Sequence, residues 1–288
     1  MKVSIIGSGV VGQAHGKFLA KKNDVVFCDN RKSIVTKLNK EGLKATTSLK
    51  KALDHADINF ICLPTPSTNK GIDLTIMKAV CKACGEFYYN GMYVFKSTMI
   101  PGSTEQMYKL LNTPKENIVY NPEFLTEISD SWTQETGWKR SPINEERIVM
   151  GCEETDKNYS SLVDDVVNIY WKCGSKANAY VVNWKTAEMI KYVANCRLAT
   201  AISFFNEIYF ICKELGIDSQ EVADIVCMDE RIGKYGSVHG KAFGGTCFPK
   251  DVRALCAFVN STLNYEPILL NSVESVNEMI KRKNGVRE

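Results

Sequence analysis

In the first half of the chain, short apolar runs are separated by longer amphipathic stretches. Val3–Ile6, Val25–Cys28, Ile58–Leu63, Tyr93–Lys96 and Ile118–Tyr120 read as strands. Helical patterns lie between several of them, as in Gly12–Lys21 and Thr75–Tyr88. That alternation predicts a parallel sheet wound by helices. Arg147–Met150 reads as a further strand, and a helix follows through Ser160–Tyr170.

The period then changes. Ala187, Ile190, Val193, Ala194, Leu198, Ala201, Ile202, Phe205, Ile208, Ile211 and Leu215 recur at helical spacing and predict one long helix over Lys185–Leu215. Gly216 is a natural stop. Asp218-Ser219-Gln220-Glu221 reads as a capping box that opens the next helix. A glycine-rich segment, Gly233 to Gly245, precedes helical patterns at Asp251–Asn260 and Pro267–Lys283. The expected fold is α/β. A Rossmann-type, doubly wound parallel sheet over residues 1–180 is followed by a mostly α-helical domain over 181–288 built on the long helix.

Composition narrows the picture. The 288 residues are 44% hydrophobic, as expected of a soluble chain of one large or two ordinary domains. With 36 basic and 33 acidic residues the charge is nearly balanced, so nothing calls for nucleic acid. Lys281-Arg282-Lys283 reads as solvated surface. No stretch is long and apolar enough to span a bilayer, and glycines cut the N-terminal run too early for a signal sequence. Eleven scattered cysteines, several in apolar contexts such as Cys62, Cys196 and Cys212, read mostly as buried thiols in a reducing cytoplasm. Cys81 and Cys84 form the one close pair. No second pair stands at metal-ligand spacing, and with three histidines (His15, His55, His239) no metal site is expected.

Gly7-Ser8-Gly9-Val10-Val11-Gly12 matches G-x-G-x-x-G between a predicted strand and a predicted helix. Gly7 permits the turn, Gly9 the approach of a pyrophosphate and Gly12 close helix–strand packing. The helix N-terminus supplies free N–H groups and a favourable dipole for phosphate. Asp29, at the end of the second predicted strand, suits ribose hydroxyls and repels a 2′-phosphate, which favours NAD over NADP. Arg31 nearby is of the residue type that receives such a phosphate.

Four more segments carry chemistry. Lys96-Ser97-Thr98-Met99-Ile100-Pro101-Gly102 and Asn121-Pro122-Glu123-Phe124-Leu125-Thr126-Glu127 each follow a strand, where open parallel sheets bind ligands. Glu188-x-x-Lys191-x-x-x-Asn195 puts Lys191 and Asn195 on one helix face. In Phe243-Gly244-Gly245-Thr246-Cys247-Phe248-Pro249-Lys250-Asp251, glycines bring the backbone close and Asp251 stands four residues after a cysteine.

From the glycine loop to about Asn277, these segments resemble the UDP-glucose/GDP-mannose dehydrogenase family. The resemblance implies NAD-dependent, four-electron oxidation of the C6 alcohol of an NDP-sugar, UDP-glucose to UDP-glucuronate foremost. It implies Cys247 as the nucleophile that forms a thiohemiacetal and then a thioester. Lys191 and Asn195 would stabilise the oxyanion, Asp251 and Thr98 would position or activate water, and Glu127 would serve as acid–base. Glu123, Phe124, Leu125, Gly244 and Arg231 would bind the sugar nucleotide, Arg231 across the interface of a homodimer formed through the helical domain. Gly7, Gly9, Val10, Val11, Gly12, Asp29, Thr65, Pro66, Thr98 and Lys250 would bind NAD.

The chemistry has its own logic. Two successive hydride removals at one site need a covalent handle, or the aldehyde escapes, and a thiolate supplies it. A cation beside it should favour the thiolate, and Lys191 is the candidate.

The sequence departs from the family in two places. It ends at Glu288, without the second Rossmann-like unit that family members usually carry, and Ser131–Ser141, with Trp132 and Trp138, is unlike the usual run after the glutamates. Three readings follow: a chain lacking its last domain, a compact enzyme whose dimer supplies the missing contacts, or an NAD-binding protein with little activity. A β-hydroxyacid dehydrogenase of the 3-hydroxyisobutyrate type is the competing enzyme class. It has a similar two-domain plan and a helix Lys-x-x-x-Asn but needs no cysteine, and Cys247 with Asp251 and Glu123 with Glu127 argue against it.

Overall fold

A computed structural model describes residues 1–87, 91–126, 140–153, 161–245 and 247–284. The described parts of 1–65, 73–126 and 140–191 form one compact unit, and those of 66–72 and 192–284 a second.

The first unit is built on an eight-stranded sheet. Its strands are β1 (Lys2–Ile6), β2 (Asp24–Cys28), β3 (Lys44–Thr46), β4 (Ile58–Ile61), β7 (Met92–Phe95), β8 (Ile118–Tyr120), β9 (Arg147–Cys152) and β10 (Asn178–Asn183), in the order β10-β9-β8-β7-β4-β1-β2-β3. From β3 to β8 every pairing is parallel. This confirms the wound sheet, with its switch of direction between β1 and β4. Central strands of such a sheet are covered on both faces, so they read as unbroken apolar runs. All four residues of β4 and all three of β8 are buried. Val3, Ile5, Phe27, Phe60, Val94, Val119 and Met150 join one core.

The far edge is not parallel throughout. Strand β9 pairs antiparallel with β8, through Tyr120 and Gly151. An antiparallel partner lets the chain re-enter the sheet at the end it has just left. The outgoing residues 121–126 and the incoming residues 140–146 therefore lie at the same edge as the C-terminal ends of the other strands. No residue of the edge strands β3 and β10 is fully buried, so neither is held to the unbroken apolar run of a strand covered on both faces.

Helices α1 (Val10–Leu19), α2 (Lys32–Lys40), α3 (Leu49–His55), α4 (Thr75–Phe87), α5 (Ser103–Tyr108) and α6 (Ser161–Lys172) complete the first unit. Helix α1 starts two residues before the periodic pattern does, because its first residue, Val10, is 70% exposed. Helix α7 (Trp184–Leu215) has 32 residues, about 48 Å of helix, and runs from the first unit into the second.

In the second unit, α8 (Ser219–Val226) is capped by Asp218, whose carboxylate accepts from the Gln220 and Glu221 amides. Helix α9 (Phe248–Leu263) begins three residues earlier than the pattern predicts, because Pro249 is tolerated in a first turn that needs no N–H from it. A short hairpin, β5 (Ser67–Thr68) with β6 (Gly71–Ile72), packs on α9, and α10 (Ile268–Lys283) follows. Two buried asparagines pin the glycine-rich segment. Asn206 donates to the Lys241 carbonyl and accepts from Gly240 N, and Asn277 does the same with both backbone groups of Phe243.

Gly16 of α1 lies against β2, and an added methyl would overlap the Phe27 ring. Gly16→Ala should cost about 1–3 kcal/mol by overpacking, read as a lower urea midpoint with an unchanged slope.

Candidate active site

The glycine loop has the geometry that a dinucleotide needs. Gly7 has φ +92°, and methyl groups on Gly7 or Gly12 would collide with the Cys62 carbonyl and the Gly7 carbonyl. Nothing stands within 4 Å of where a side chain would project from Gly9, the N-cap of α1, and no side chain caps that helix. An open, uncapped N-terminus is a place for phosphate. Val10 is exposed there, whereas Val11 packs toward the core.

Asp29 is 6% exposed at the end of β2. Its carboxylate accepts the Ser8 amide at 2.9 Å, the Arg31 amide at 2.9 Å and the Arg31 guanidinium through Nε and Nη2. Burial raises its pKa, but these hydrogen bonds outweigh burial and hold it below the ordinary range. The guanidinium that could have met a 2′-phosphate is thus spent on Asp29. The empty space at Gly9 and this acid fit a dinucleotide.

At the C-terminal ends of β4 and β7 the loops are tied together. Ser97 Oγ donates to the Leu63 carbonyl at 2.7 Å and Thr65 Oγ1 to the Thr98 carbonyl at 2.7 Å. Thr65 is buried, Thr98 half-buried and Pro66 exposed.

Beyond β8 the structure gathers charge. Lys191 Nζ meets Glu123 Oε1 at 3.3 Å, with both side chains almost wholly buried. Lys96 is 2% exposed, and its Nζ donates to the Asn121 carbonyl, to Asn121 Oδ1 and to Tyr170 Oη. Burial lowers its pKa to about 8. Tyr170 Oη in turn faces His15 Nδ1 of α1 at 3.2 Å. The backbone of Phe124 and Leu125, expected to hold the substrate, has both amides engaged within the chain. Phe124 N donates to Glu145 and Leu125 N to Glu123.

Glu188, one turn before Lys191, is fully buried. It accepts Gly102 N at 2.6 Å and both Thr104 N and Thr104 Oγ1 at 2.7 Å, so it fastens the turn after Thr98 to α7. Burial pushes its pKa up to about 7 against the pull of those hydrogen bonds.

In the second unit, Asp251 is fully buried and held from two sides. Asn195 Nδ2 donates to Oδ2 and Lys250 Nζ to Oδ1, each at 2.5 Å. The Asn195 donor expected to serve an oxyanion therefore meets Asp251 instead. Cys247 is the N-cap of α9, and its carbonyl accepts from Asp251 N. Of the eleven cysteines, ten are buried and Cys247 alone is half-exposed, so it is the thiol within reach of a ligand. Gly244 faces open space. Arg231 is highly exposed and forked onto Asp229. A cleft of about 510 Å³ lined by Thr68, Asn69, Arg253, Asn260, Asn271 and Glu274 holds none of these residues. Glu127, Thr246, Trp132 and Trp138 lie outside the described residues.

The structure adds Glu145, Tyr170 and His15 to the groups expected from sequence. Glu145 and Glu146 precede β9 like an ordinary polar strand start, and no spacing signal marks them.

Residues 37–172 match the NAD binding domain, and residues 185–279 the central domain, of the UDP-glucose/GDP-mannose dehydrogenase family. A UDP-glucose 6-dehydrogenase of Haloferax volcanii is 34% identical, over 96% of this chain and 70% of its own length. The chain belongs to the UDP-glucose/GDP-mannose dehydrogenase family. NAD is its cofactor, and NDP-sugars are the substrates of the family. A UDP-glucose 6-dehydrogenase of Bacillus subtilis is 33% identical over 96% of this chain, and a GDP-mannose 6-dehydrogenase of Pseudomonas aeruginosa 32% identical over 95%. A UDP-glucose dehydrogenase structure from Pyrobaculum islandicum superposes on 98% of the chain with a TM-score of 0.83 at 29% identity. The chain spans 70%, 63% and 67% of the lengths of the three sequence relatives and 69% of that structure. No described helix is long and apolar enough to cross a membrane.

Glu188 makes stability depend on pH. The folded chain keeps the Glu188 proton up to about pH 7, whereas an ordinary glutamate loses it near 4.5. Its contribution is therefore full below about 4.5 and is lost as pH rises through 7. In urea unfolding at pH 5 to 8, stability should fall across this window. Glu188→Gln should flatten the fall by up to about 1.4 kcal/mol per pH unit.

Proposed function

We propose that this chain oxidises UDP-glucose to UDP-glucuronate, a four-electron reaction with two NAD. The observation that supports it most is Cys247, the half-exposed thiol set at the N-terminus of a 16-residue helix, one turn before an acid held by two partners. A helix N-terminus favours negative charge, here the thiolate.

In this reading, NAD held by the glycine loop and Asp29 would supply the hydride acceptor, one molecule for each of the two oxidations. The chain's residues do the rest. The Lys191 ammonium stabilises the alkoxide as the first hydride leaves. Cys247 Sγ adds to the aldehyde carbon, which gives a thiohemiacetal and prevents escape. Loss of the second hydride leaves a thioester. Asp251 and Thr98 place the water that hydrolyses it to the carboxylate, and the thiol is regenerated. Asn195 shares the oxyanion once its amide leaves Asp251. Glu127 is the proposed acid–base group. Glu123, the backbone of Phe124 and Leu125 and Gly244 hold the sugar and phosphates, and Thr65, Pro66 and Lys250 join the glycine loop around NAD.

The same reading makes the chain a homodimer through its helical part, with Arg231 reaching the neighbouring site. Met189, Val193, Phe204, Ile211 and Leu215 are 36–66% exposed and fall on one stripe of α7, apolar surface that a second copy would cover. Phe204→Glu with Ile211→Glu should halve the mass measured by light scattering.

With excess NAD, two NADH per UDP-glucose are expected. Cys247→Ser should stall before acid forms, with no steady release beyond the first hydride. Sustained formation of UDP-glucuronate by that variant would sink the covalent role. One NADH per small hydroxy acid would point to the β-hydroxyacid class, and NAD binding without turnover to a binding protein.

A further inference from the structure

Glu145 lies two residues before β9, on the incoming arm of the β8–β9 connection. Its Oε1 accepts the Phe124 amide of the outgoing arm at 3.0 Å. The next amide, Leu125 N, goes to Glu123 Oε2 at 2.6 Å, while Glu123 Oε1 meets Lys191 Nζ. Two successive amides are thus each taken by a different carboxylate, and the second carboxylate is the one paired with Lys191. The arms are further fastened by Thr126 N to the Arg140 carbonyl and by Arg140 N to Thr126 Oγ1. The Arg147 guanidinium lies 4.1 Å from the centre of the Phe124 ring.

We propose that Glu145 is a positioning residue for the sugar-nucleotide loop, clamping the Phe124 amide so that Glu123 is held toward Lys191. This role rests on the sugar-nucleotide reading above.

A second acid beside Glu123 is an expensive way to satisfy one amide, since like charges repel and a neutral oxygen would serve. What a carboxylate adds is response to pH. Glu145 faces Lys96 of the β7 end, Glu123, Lys191 of α7 and Tyr170 of α6. Burial moves its titration to about 7, against the pull of both lysines. Above that pH the ionised clamp is at full strength. Below it the acceptor is weaker and the pocket loses one negative charge.

Hydrogen exchange on the unliganded chain and kinetics with UDP-glucose test this together. Glu145→Ala should speed exchange in residues 122–126 about tenfold and raise KM for UDP-glucose about tenfold, with kcat within threefold and NAD affinity unchanged. Glu145→Gln keeps an acceptor for Phe124 N. It should restore KM to within about twofold at pH 8 and remove the rise in KM expected of wild type below pH 7. Glu146→Ala, at an exposed acid paired with Arg140, should change none of these. An active wild type with unchanged exchange and KM in Glu145→Ala overturns this role alone. So does a Gln variant that follows Ala at every pH. A wild type that yields no NADH from any sugar nucleotide overturns the proposed reaction and this role with it, even where the exchange result holds.

Discussion

Charge held out of water at the C-terminal ends of the strands is the constraint around which the first unit is arranged. Lys96, Lys191 and Glu123 are each at most 5% exposed, and Glu145 borders them. A lone ammonium or carboxylate in such a place would shift its pKa and neutralise; it stays charged only where partners surround it. Each ammonium here has its acceptors: Asn121 and Tyr170 for Lys96, Glu123 for Lys191. Breaking one member leaves the others exposed to the full cost of burial. The network therefore couples the ends of β7 and β8, the loop after β8 and the first turns of α7.

Helix α7 carries partners of this charge balance within the first unit. Glu188 ties it to the turn after Thr98, and Lys191, one turn on, reaches Glu123. Asn195, a turn further, meets Asp251 in the second unit. Helical spacing alone aligns these three residues on one face. Each polar contact also costs the helix nothing in backbone hydrogen bonds, which is why one long element can carry several functional groups at once.

The second unit follows a different rule. Its glycine-rich segment has no regular structure to satisfy its backbone, so buried asparagines do that work, Asn206 at Gly240 and Lys241 and Asn277 at Phe243. The segment then delivers Cys247 to the start of α9. The placement leaves one thiol in reach of a ligand and ten out of reach. Eleven cysteines scattered along the sequence give no hint of that partition.

The sheet core, the glycine turn and the long helix were legible in the sequence because each depends on neighbours close along the chain. A buried parallel strand must be apolar on both faces, Gly7 and Gly12 must lack side chains, and a 3.6-residue period runs unbroken through α7. The order Cys247, Asp251 and the pair Lys191, Asn195 were legible for the same reason. The edge strands β3 and β10, the reversal at β9 and the placing of Glu145 against Phe124 were not. Each depends on segments far apart in sequence that meet only when the sheet closes. Residue type and local spacing determined which groups are present. Which of them are buried together, and hence which carry shifted pKa values or engaged amides, was decided by tertiary structure, because desolvation and pairing are properties of the folded surroundings.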